Sequence, residues 1–285
     1  MTSATTRPAP STRQGAAAEG VPVPRIDTSA PHSARVWDYW LGGRENYPVD
    51  REVGDLFAEL LPGIVDAARH HRAFLTRAVG FMAGQAGIAQ FLDIGTGLPT
   101  VDNTHEVAQR ARRDARIVYV DNDPLVLVHA QALLTSSPAG ATGYLDADVR
   151  NPEQILAQAT TTLDFDRPVG LLLLNILHHI TDDAQAHQIV TNLLGGLAAG
   201  SMVAIGWLTA AVDGQVMHQA LDAWTGMGGD PIVARPPEEL ERFFGGLELL
   251  EPGVVSCSRW RPDPTPFGAD PEVAQFCGVA RKARP

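Results

Sequence analysis

Three aspartates stand at or just after the ends of three successive apolar segments. Asp93 is near the end of AQFLDI, Asp121 closes RIVYVD, and Asp148 follows YLDA. If these segments are parallel strands, their carboxyl ends meet at one edge of the sheet, where ligands of such sheets bind. Carboxylates accept hydrogen bonds from amino and hydroxyl groups and attract cations. The spacing therefore predicts a site for a ligand that is cationic and rich in hydroxyl groups.

The segment FLDIGTGLPT identifies the class of ligand more closely. Gly95 and Gly97 follow Asp93, and glycines at this place let the backbone turn sharply and approach a ligand. Dinucleotide sites and S-adenosylmethionine sites both use such a loop. The dinucleotide pattern G-x-G-x-x-G requires glycine where this chain has Thr100, and it would place Asp93 beside a pyrophosphate. The residues favour S-adenosylmethionine, and a tight turn without a ligand is the alternative.

Asp121 and Asp148 suit the nucleoside part of that cofactor. A carboxylate at the end of the second strand can accept hydrogen bonds from both ribose hydroxyls, which predicts this role for Asp121. Asp123 competes for the role but is better placed to cap a helix that begins with Pro124. Asp148 is predicted to bind the adenine amino group, with the Val149 backbone N–H nearby. A solvated loop acid is the alternative for Asp148.

Polar residues also follow the fourth apolar segment, in the run NILHHI. Asn175 lies at the strand end, and His178 and His179 are paired histidines after the glycine loop. Imidazole titrates near neutral pH, so His178 is predicted to act as a general base or to orient a substrate, with Asn175 beside it. The alternative is that His178 packs against the cofactor or caps the following turn.

The elements that must position these residues alternate between strands and helices from residue 88 onward. Strands are predicted at 89–94, 116–121, 142–146, 169–175 and 201–207, with helices between them. This alternation is typical of a parallel, doubly wound α/β sheet. Two more strands, at about 247–258 and 273–281, are predicted to form an antiparallel hairpin at one sheet edge.

The chain divides into three segments. Residues 1–30 are rich in Ala, Thr, Ser and Pro and are predicted to be a disordered tail. Residues 31–86 contain helical patterns without a strand and are predicted to form an N-terminal helical cap. Residues 87–285 would then form the S-adenosylmethionine-binding domain. In the cap, Trp37 and Trp40 share one helical stripe, and they either border the ligand pocket or belong to the core of the cap.

The composition limits the kinds of partner. The 285 residues include 22 basic and 33 acidic side chains, for a formal net charge of −11. Proteins that bind nucleic acids instead concentrate Lys and Arg on one face, so none is expected as a partner. No apolar run reaches the roughly 20 residues of a membrane span, and a cytoplasmic location is expected. The cysteines and histidines lack metal-site spacing, so the expected partner is a small molecule. The oligomeric state is left open.

Together, the segments FLDIGTGLPT, VYVDNDP, DADVRNP and NILHHITDD resemble the class I S-adenosylmethionine-dependent methyltransferases. The segments ARVWDYWLGGRENYPVDRE, HEVAQ, LDFDRPV, WRPDP and CGVARK also resemble a narrower bacterial methyltransferase family long catalogued as a domain of unknown function. The resemblance extends over about residues 31–283. It implies a Rossmann-like, mostly parallel sheet of seven strands in the order 3-2-1-4-5-7-6, with strand 7 antiparallel and the N-terminal helices over the pocket.

The resemblance also assigns roles to residues. The implied cofactor-binding set is Asp93, Gly95, Thr96, Gly97, Asp121, Asn122, Asp148, Val149 and Asn175. Within it, Asp93 and the two glycines would face the methionine part of the cofactor. Tyr39, Asn46 and Arg72 are implied to close over cofactor or substrate. Trp207 stands where relatives carry a polar, His-containing segment, so it is expected to shape the acceptor site and to indicate an altered substrate or altered chemistry.

The expected activity is methyl transfer from S-adenosylmethionine to a small-molecule acceptor, with specialised metabolism as its setting. Much of the catalysis would be alignment of the nucleophile with the methyl group. Two alternatives remain on the same fold. One is an enzyme that transfers the aminocarboxypropyl arm of the cofactor or cyclises it, and the other is a non-catalytic cofactor-binding protein. The missing third glycine disfavours a nicotinamide-dependent dehydrogenase.

Overall fold

The computed structural model describes residues 27–133, 136–264 and 271–283. The predicted disordered tail, residues 1–30, lies outside the described residues except for its last four. Those four are tied to the first helix, because the Arg35 guanidinium donates hydrogen bonds to the carbonyl oxygens of Asp27, at 3.0 Å, and Ala30, at 2.6 Å.

Three helices precede the sheet, as the sequence predicts. They are α1 (Ser33–Trp40), α2 (Pro48–Leu60) and α3 (Ile64–Gly84). The chain turns after α1 at Gly42, whose φ of 81° favours a residue without a Cβ. Helix α2 begins two residues before its predicted start at residue 50, because Pro48 suits the first helical turn. The Asp50 carboxylate supports that start by accepting a hydrogen bond from the Tyr47 N–H at 2.8 Å.

A single mixed sheet follows the three helices. Its strands are β1 (Gln90–Ile94), β2 (Arg116–Asp121), β3 (Ala141–Asp146), β4 (Gly170–Leu174), β5 (Met202–Leu208), β6 (Glu248–Leu249), β7 (Val255–Ser256) and β8 (Gln275–Arg281). Their order is β3-β2-β1-β4-β5-β8-β6, and β7 also pairs with β8. The first five strands are parallel and β8 is antiparallel to β5. This confirms the doubly wound α/β fold and the implied order 3-2-1-4-5-7-6, with β8 in the place of strand 7.

The final hairpin differs from the prediction in one respect. The single strand predicted at 247–258 is two short strands, β6 and β7, and the described sheet therefore has eight strands rather than seven. Pro252 has no N–H to donate to a neighbouring strand, and Gly253 has a φ of 87°, so the chain turns between them. The antiparallel pairing at the sheet edge is present, because β8 lies between β5 and β6.

Helices cover both faces of the sheet. After α3 they are α4 (Thr104–Ala111), α5 (Pro124–Leu133), α6 (Pro152–Ala159), α7 (Asp183–Gly195), α8 (Gly214–Gly226) and α9 (Pro237–Arg242). Successive strand residues point to opposite faces, so Leu92 belongs to the core cluster on one face and Phe91 to the cluster on the other. A third apolar cluster joins the cap helices to α8, where Trp40 and Phe57 share a core with Trp224. Within the described ranges, no helix is long and apolar enough to cross a membrane.

Candidate active site

A cavity of about 500 Å³ lies at the carboxyl ends of β1–β4, and residues of α1 and the segment before it form its opposite wall. This volume is within the range of roughly 300–1,000 Å³ that small-molecule sites occupy. Every predicted cofactor-binding residue lines the cavity, namely Asp93, Gly95, Thr96, Gly97, Asp121, Asn122, Asp148, Val149 and Asn175. His178 and Arg72 are also in its wall.

The turn after β1 brings the backbone to the cavity. Gly95 and Gly97 have φ angles of 75° and 66°, a region in which a Cβ is strained. A Cβ on Gly95 would also lie 2.7 Å from the Cβ of Ile176, so there is no space for a side chain at this position. The Gly95 N–H donates to the Val120 carbonyl at 2.8 Å, which holds the turn against β2. The turn therefore presents main chain rather than side chains to the cavity.

The Asp93 side chain is a buried acid in the cavity wall. Its Oδ2 accepts a hydrogen bond from the Thr104 hydroxyl at 2.7 Å, and the residue is only 5% exposed. Burial raises the pKa of Asp93 to about 6, although the Thr104 hydrogen bond and the positive charge of Arg72 oppose the increase. A cationic ligand group beside this carboxylate would stabilise its ionised form.

Arg72 connects the cap to the loop that follows the glycine turn. Its guanidinium donates hydrogen bonds to the carbonyl oxygens of Val101, at 3.2 Å, and Asp102, at 2.9 Å, and to Oδ1 of Asn103, at 3.3 Å. Burial lowers the pKa of the Arg72 guanidinium, and the charge of Asp93 opposes this. The structure thus places Arg72 at the cavity, where it fixes α3 against the loop.

Asp121 is bound to the glycine turn through its carboxylate. Oδ2 accepts a hydrogen bond from the Gly97 N–H and Oδ1 accepts one from the Asp123 N–H, both at 3.0 Å. Burial raises the pKa of Asp121, and the two backbone donors oppose this. Asp123 instead accepts a hydrogen bond from the Leu125 N–H at 2.8 Å, which is the cap interaction that the sequence predicts.

Asp148 lies two residues beyond the end of β3, with about a third of its side chain exposed. Its Oδ1 accepts a hydrogen bond from the Arg150 N–H at 2.8 Å, and its Oδ2 pairs with the Arg150 guanidinium at 3.1 Å. Arg150 also donates to the His179 carbonyl at 3.2 Å. Asp148 is therefore part of an ion pair at the rim of the cavity, beside the buried Val149.

Asn175 has the left-handed backbone conformation, with a φ of 58°. Its N–H donates to the Gly206 carbonyl at 2.8 Å, which ties the end of β4 to β5. Both polar atoms of its side-chain amide are buried, and neither has a hydrogen-bond partner among the described residues. Left-handed backbone is uncommon outside glycine and is found at functional sites, and an unpaired buried amide is a candidate ligand contact.

Three histidines line the same part of the cavity. Burial lowers the pKa of His71 to about 3, that of His179 to about 4, and that of His178 well below its ordinary value. His178 is 3% exposed, and neither of its ring nitrogens has a partner among the described residues. All three are therefore uncharged at neutral pH. In the part of the chain that the structure describes, no group of three or more His, Cys, Asp or Glu side chains is placed to hold a metal ion.

Two residues expected to close over the ligand lie outside the cavity wall. The Tyr39 hydroxyl donates to Oδ1 of Asp55 on α2 at 2.7 Å, because Tyr39 is on the side of α1 away from the cavity. The Asn46 amide donates to Oδ2 of Asp38 at 2.8 Å. Asp38 does line the cavity, so Asn46 is connected to the cavity wall through its hydrogen bond to Asp38.

Trp207 is also placed elsewhere, and its predicted position in the acceptor site is wrong. The residue is fully buried in the core cluster beneath the sheet, where its ring lies 5.1 Å from that of Phe243. Side chains alternate along β5, so it is Gly206 and Leu208 that point towards the cap. A Cβ on Gly206 would meet the His71 ring at 3.3 Å.

Residues from distant parts of the chain complete the cavity. Trp224 from α8 and Asp230 after it line the cavity, and so does His32 from the segment before α1. Nδ1 of His32 lies 3.3 Å from Oδ2 of Asp123, which brings that segment against the loop after β2. His71 adjoins Arg72 in the run RHHR, which was a usable signal; Trp224 and His32 had no local pattern that pointed to a site.

The cavity fits S-adenosylmethionine in the chemistry of its donor set. Asp93 supplies a buried anion for a cationic amino group, and Asp121 supplies carboxylate oxygens for hydroxyl groups. The glycine turn lets a ligand approach the backbone closely, since a Cβ on Gly97 would meet nothing within 4 Å and the place of that side chain is empty space. The unpaired amide of Asn175 offers a further polar contact.

Comparisons with known proteins agree with this assignment. A family model described as S-adenosyl methyltransferase matches residues 19–283. The chain is similar to a DUF574 family protein from Streptomyces avermitilis whose crystal structure is known. The two sequences are 42% identical, the match covers 90% of this chain and 100% of the other, and the TM-score is 0.86. It is similar also to a candidate methyltransferase from Thermobifida fusca, 42% identical over 90% of this chain and 97% of its own, with a TM-score of 0.82.

No relative of curated function matches the chain. The family match nevertheless extends over most of its length. The chain therefore belongs to the S-adenosyl methyltransferase family, and it is an enzyme that uses S-adenosylmethionine as its cofactor.

Proposed function

We propose that this chain transfers the methyl group of S-adenosylmethionine to a small-molecule acceptor that binds in the same cavity. The observation that carries the proposal is the continuity of one cavity from the acids Asp93, Asp121 and Asp148 to Asn175 and His178. A cofactor held by the acids and an acceptor held near His178 would share this space. When bound, the cofactor supplies an electrophilic methyl group carried by its sulfonium sulfur.

On the cofactor side, each acid has a separate task. Asp93 binds the amino group of the methionine part, because it is the buried anion beside the glycine turn. Asp121 binds the ribose hydroxyls with the lone pairs that its two backbone donors leave free. Asp148 and the Val149 N–H bind the adenine edge at the rim, where Asp148 is partly exposed. Asn175 lines the same cavity with an unpaired amide, which would supply a further polar contact to the bound cofactor.

On the acceptor side, the protein contributes position more than proton transfer. His178 is buried and uncharged, so its free ring nitrogen accepts a hydrogen bond from the acceptor and orients the nucleophile. Alignment of two bound reactants is worth up to roughly 7–11 kcal/mol in favourable cases. Residues of α1 and the preceding segment form the outer wall. The formal net charge of −11 is consistent with a small molecule rather than a nucleic acid.

Calorimetry followed by product analysis tests this function. The full chain should bind S-adenosylhomocysteine, and after incubation with S-adenosylmethionine and an acceptor panel it should release S-adenosylhomocysteine. Methylthioadenosine in its place would indicate transfer of the aminocarboxypropyl arm or cyclisation. A folded chain that binds neither form of the cofactor would contradict the proposal. Binding without turnover across a broad panel would favour a non-catalytic role.

A further inference from the structure

A second, smaller space of about 40 Å³ adjoins the main cavity and shares Ser33, Trp37, His178 and Trp224 with its wall. We call it the aromatic chamber. Its other lining residues include Trp40 and Phe57 from the cap, Leu221 from α8, Ile232 and Gln275. None of Asp93, Asp121 and Asp148 contributes to the chamber, so its wall is separate from the acids proposed to bind the cofactor. It is therefore placed to receive the far end of an acceptor.

The residues that line the aromatic chamber are uncharged. Of the described residues that line it, none carries a charge at neutral pH, because His178 is the one titratable group and burial keeps its imidazole neutral. A charged group moved from water into such surroundings would lose its hydration without gaining a counter-ion. A carboxylate, phosphate or ammonium group on the acceptor is therefore unfavourable at this end of the site.

The chamber is bordered by ring faces. Trp37 and Trp40 meet edge to face with centroids 5.8 Å apart, and Trp40 lies 5.7 Å from Phe57. The indole N–H of Trp40 is bonded to the Gly54 carbonyl, at 3.1 Å, and so is not available to a ligand. The indole N–H of Trp224 is similarly bonded to the Asp230 carbonyl at 2.6 Å. Apolar side chains form most of the wall, with these rings beside the aliphatic residues Val36, Ile64, Leu208, Leu221 and Ile232. An aromatic ligand can pack favourably against the rings at offset or edge-to-face angles.

Two buried polar groups in the chamber wall lack partners. Gln275 is 1% exposed, and its Oε1 has no hydrogen-bond partner among the described residues. His178 is 3% exposed, and neither of its ring nitrogens has a hydrogen-bond partner among the described residues. Buried side-chain polar atoms are almost always paired, so each unpaired one requires an explanation. An amide oxygen can only accept, and the missing partner of Gln275 is therefore an O–H or N–H donor.

We propose that the methyl acceptor is an uncharged, planar aromatic molecule that carries an O–H or N–H group. One edge of its ring enters the aromatic chamber, the rest remains in the main cavity, and its donor group bonds to Gln275 Oε1. This inference rests on the proposed methyl transfer, because it assumes that the acceptor occupies the cavity next to the cofactor. It goes further by stating the shape, charge and polar group of the acceptor.

The test uses four bicyclic probes of similar size, added to the full chain saturated with S-adenosylhomocysteine. They are 2-naphthol, 2-methylnaphthalene, 2-naphthoate and decahydro-2-naphthol, and binding is measured by ligand-observed nuclear magnetic resonance. The proposal expects 2-naphthol to bind at least tenfold more tightly than the anion 2-naphthoate and the non-planar decahydro-2-naphthol. Equal or tighter binding of either of these two would overturn it, and so would the failure of 2-naphthol to bind.

A substitution at Gln275 separates the hydrogen bond from the packing. Gln275→Met keeps the length of the side chain and removes the amide oxygen. The affinity for 2-naphthol should fall at least fivefold, while that for 2-methylnaphthalene should change less than twofold. A purely structural effect would weaken both probes alike, and that result would contradict a role for Gln275 in recognition.

A second pair of variants tests the location. Ile232→Trp adds bulk to the partly buried edge of the chamber and should reduce 2-naphthol binding at least tenfold. Val216→Trp adds bulk to an exposed position on α8, where Val216 is 37% exposed, and should leave binding unchanged. Unchanged binding in Ile232→Trp would place the probe elsewhere and overturn the proposal.

The affinity for S-adenosylhomocysteine is measured separately for each protein. If the parent chain fails to bind it, the proposed function itself is contradicted. If it binds while the aromatic alcohol has no preference, the acceptor class alone is contradicted.

Discussion

The Thr104 hydroxyl donates a hydrogen bond of 2.7 Å to the Asp93 carboxylate, so the first residue of α4 holds the buried acid at the end of β1. This bond stabilises the ionised form of Asp93, and burial opposes it. Burial dominates and raises the pKa of Asp93 to about 6. The acid proposed to bind the cofactor therefore titrates close to neutral pH, which gives two predictions.

The first prediction concerns cofactor binding. Since only the ionised Asp93 attracts an ammonium group, the affinity for S-adenosylhomocysteine should be constant above about pH 7 and fall towards tenfold per pH unit below about pH 6. Calorimetry from about one pH unit below that pKa to about two units above it measures the profile. The Asp93→Asn variant, weaker throughout, should lack this inflection; an inflection that persists would assign it to another group.

The second prediction concerns stability without cofactor. The folded-state pKa of Asp93 is raised from 3.8 to about 6, so the folded chain holds this proton more tightly than the unfolded chain. The resulting stabilisation is present below about pH 4 and is lost as the pH rises through about 6. At pH 7.5, Asp93→Asn should increase the free energy of unfolding by up to about 3 kcal/mol, with little effect near pH 4. Urea denaturation at both values measures this.

A matched control for that comparison is Asp114→Asn, since Asp114 has 58% of its side chain exposed in a surface ion pair with Arg112. That substitution should change the free energy of unfolding by less than about 0.5 kcal/mol. A loss of stability in Asp93→Asn at pH 7.5 would show that the ionised Asp93 carboxylate does not destabilise the folded state.

The third prediction concerns the proposed ribose contact. Asp121→Ala removes the carboxylate that would bind two hydroxyls. The binding free energy of S-adenosylhomocysteine should become weaker by about 1.5–3 kcal/mol, which is a loss of affinity of more than tenfold. The Gly97 N–H would also lose its partner, so the melting temperature of the free protein is measured beside the affinity. Asp121→Asn keeps an acceptor for that N–H and should restore stability more than affinity. An unchanged affinity in Asp121→Ala would remove the ribose role.

The fourth prediction compares two glycines of the same turn. Gly95→Ala combines left-handed strain of about 1–2 kcal/mol with a contact of 2.7 Å to Ile176, and overpacking of this kind costs a further 1–3 kcal/mol or so. Gly97→Ala meets nothing within 4 Å and should incur the strain alone. Denaturation of the free proteins should therefore show a larger loss for Gly95→Ala. Equal losses would mean that Ile176 moves aside without cost.

The fifth prediction concerns the buried ion pair between α1 and α2. Arg35 pairs with Asp50 at 2.9 Å, and the two side chains are 4% and 0% exposed. Arg35→Met would leave the Asp50 carboxylate buried without a counter-ion and should reduce the free energy of unfolding by about 3–5 kcal/mol. The bond from Arg35 to Ala30 would also be lost, so S-adenosylhomocysteine should bind less tightly.

The control for this variant is Arg69→Met, which breaks the exposed pair with Asp66, whose side chains are 66% and 63% exposed. A surface pair of this kind contributes about 0–1 kcal/mol, so little change is expected. Similar losses in both variants would argue against a special contribution from the buried pair.

The cofactor side of the site could be predicted from the sequence because its signals are local. The strand ends at Asp93 and Asp121 and the glycine turn between strand and helix are continuous runs of residues, and the structure places all of them at one cavity. The side proposed for the acceptor could not be predicted in this way. Trp224 and Gln275 come from elements far along the chain and meet the cap only when the sheet is assembled.

Trp207 shows a second reason why part of the site could not be predicted from the sequence. Its position at the end of a strand was correct, but the alternation of side chains along β5 turns it into the core and turns Gly206 towards His71. A run of seven buried residues has no polar-apolar alternation from which the facing could be determined. For Tyr39, the sequence does not determine which side of α1 faces the cavity. That orientation depends on how α2 packs against α1.

The aromatic chamber has a consequence for how this protein can be observed. Three of its five tryptophans, Trp37, Trp40 and Trp224, line that small space, and the other two, Trp207 and Trp260, are fully buried in separate clusters. Intrinsic emission from the three should respond when the space is filled, while the two in the core provide a constant background. Because Trp37 and Trp224 also line the main cavity, the measurement is made with the chain saturated with S-adenosylhomocysteine. Under that condition the protein's own emission should report occupancy of the proposed acceptor site, and unlabelled compounds can be screened by fluorescence.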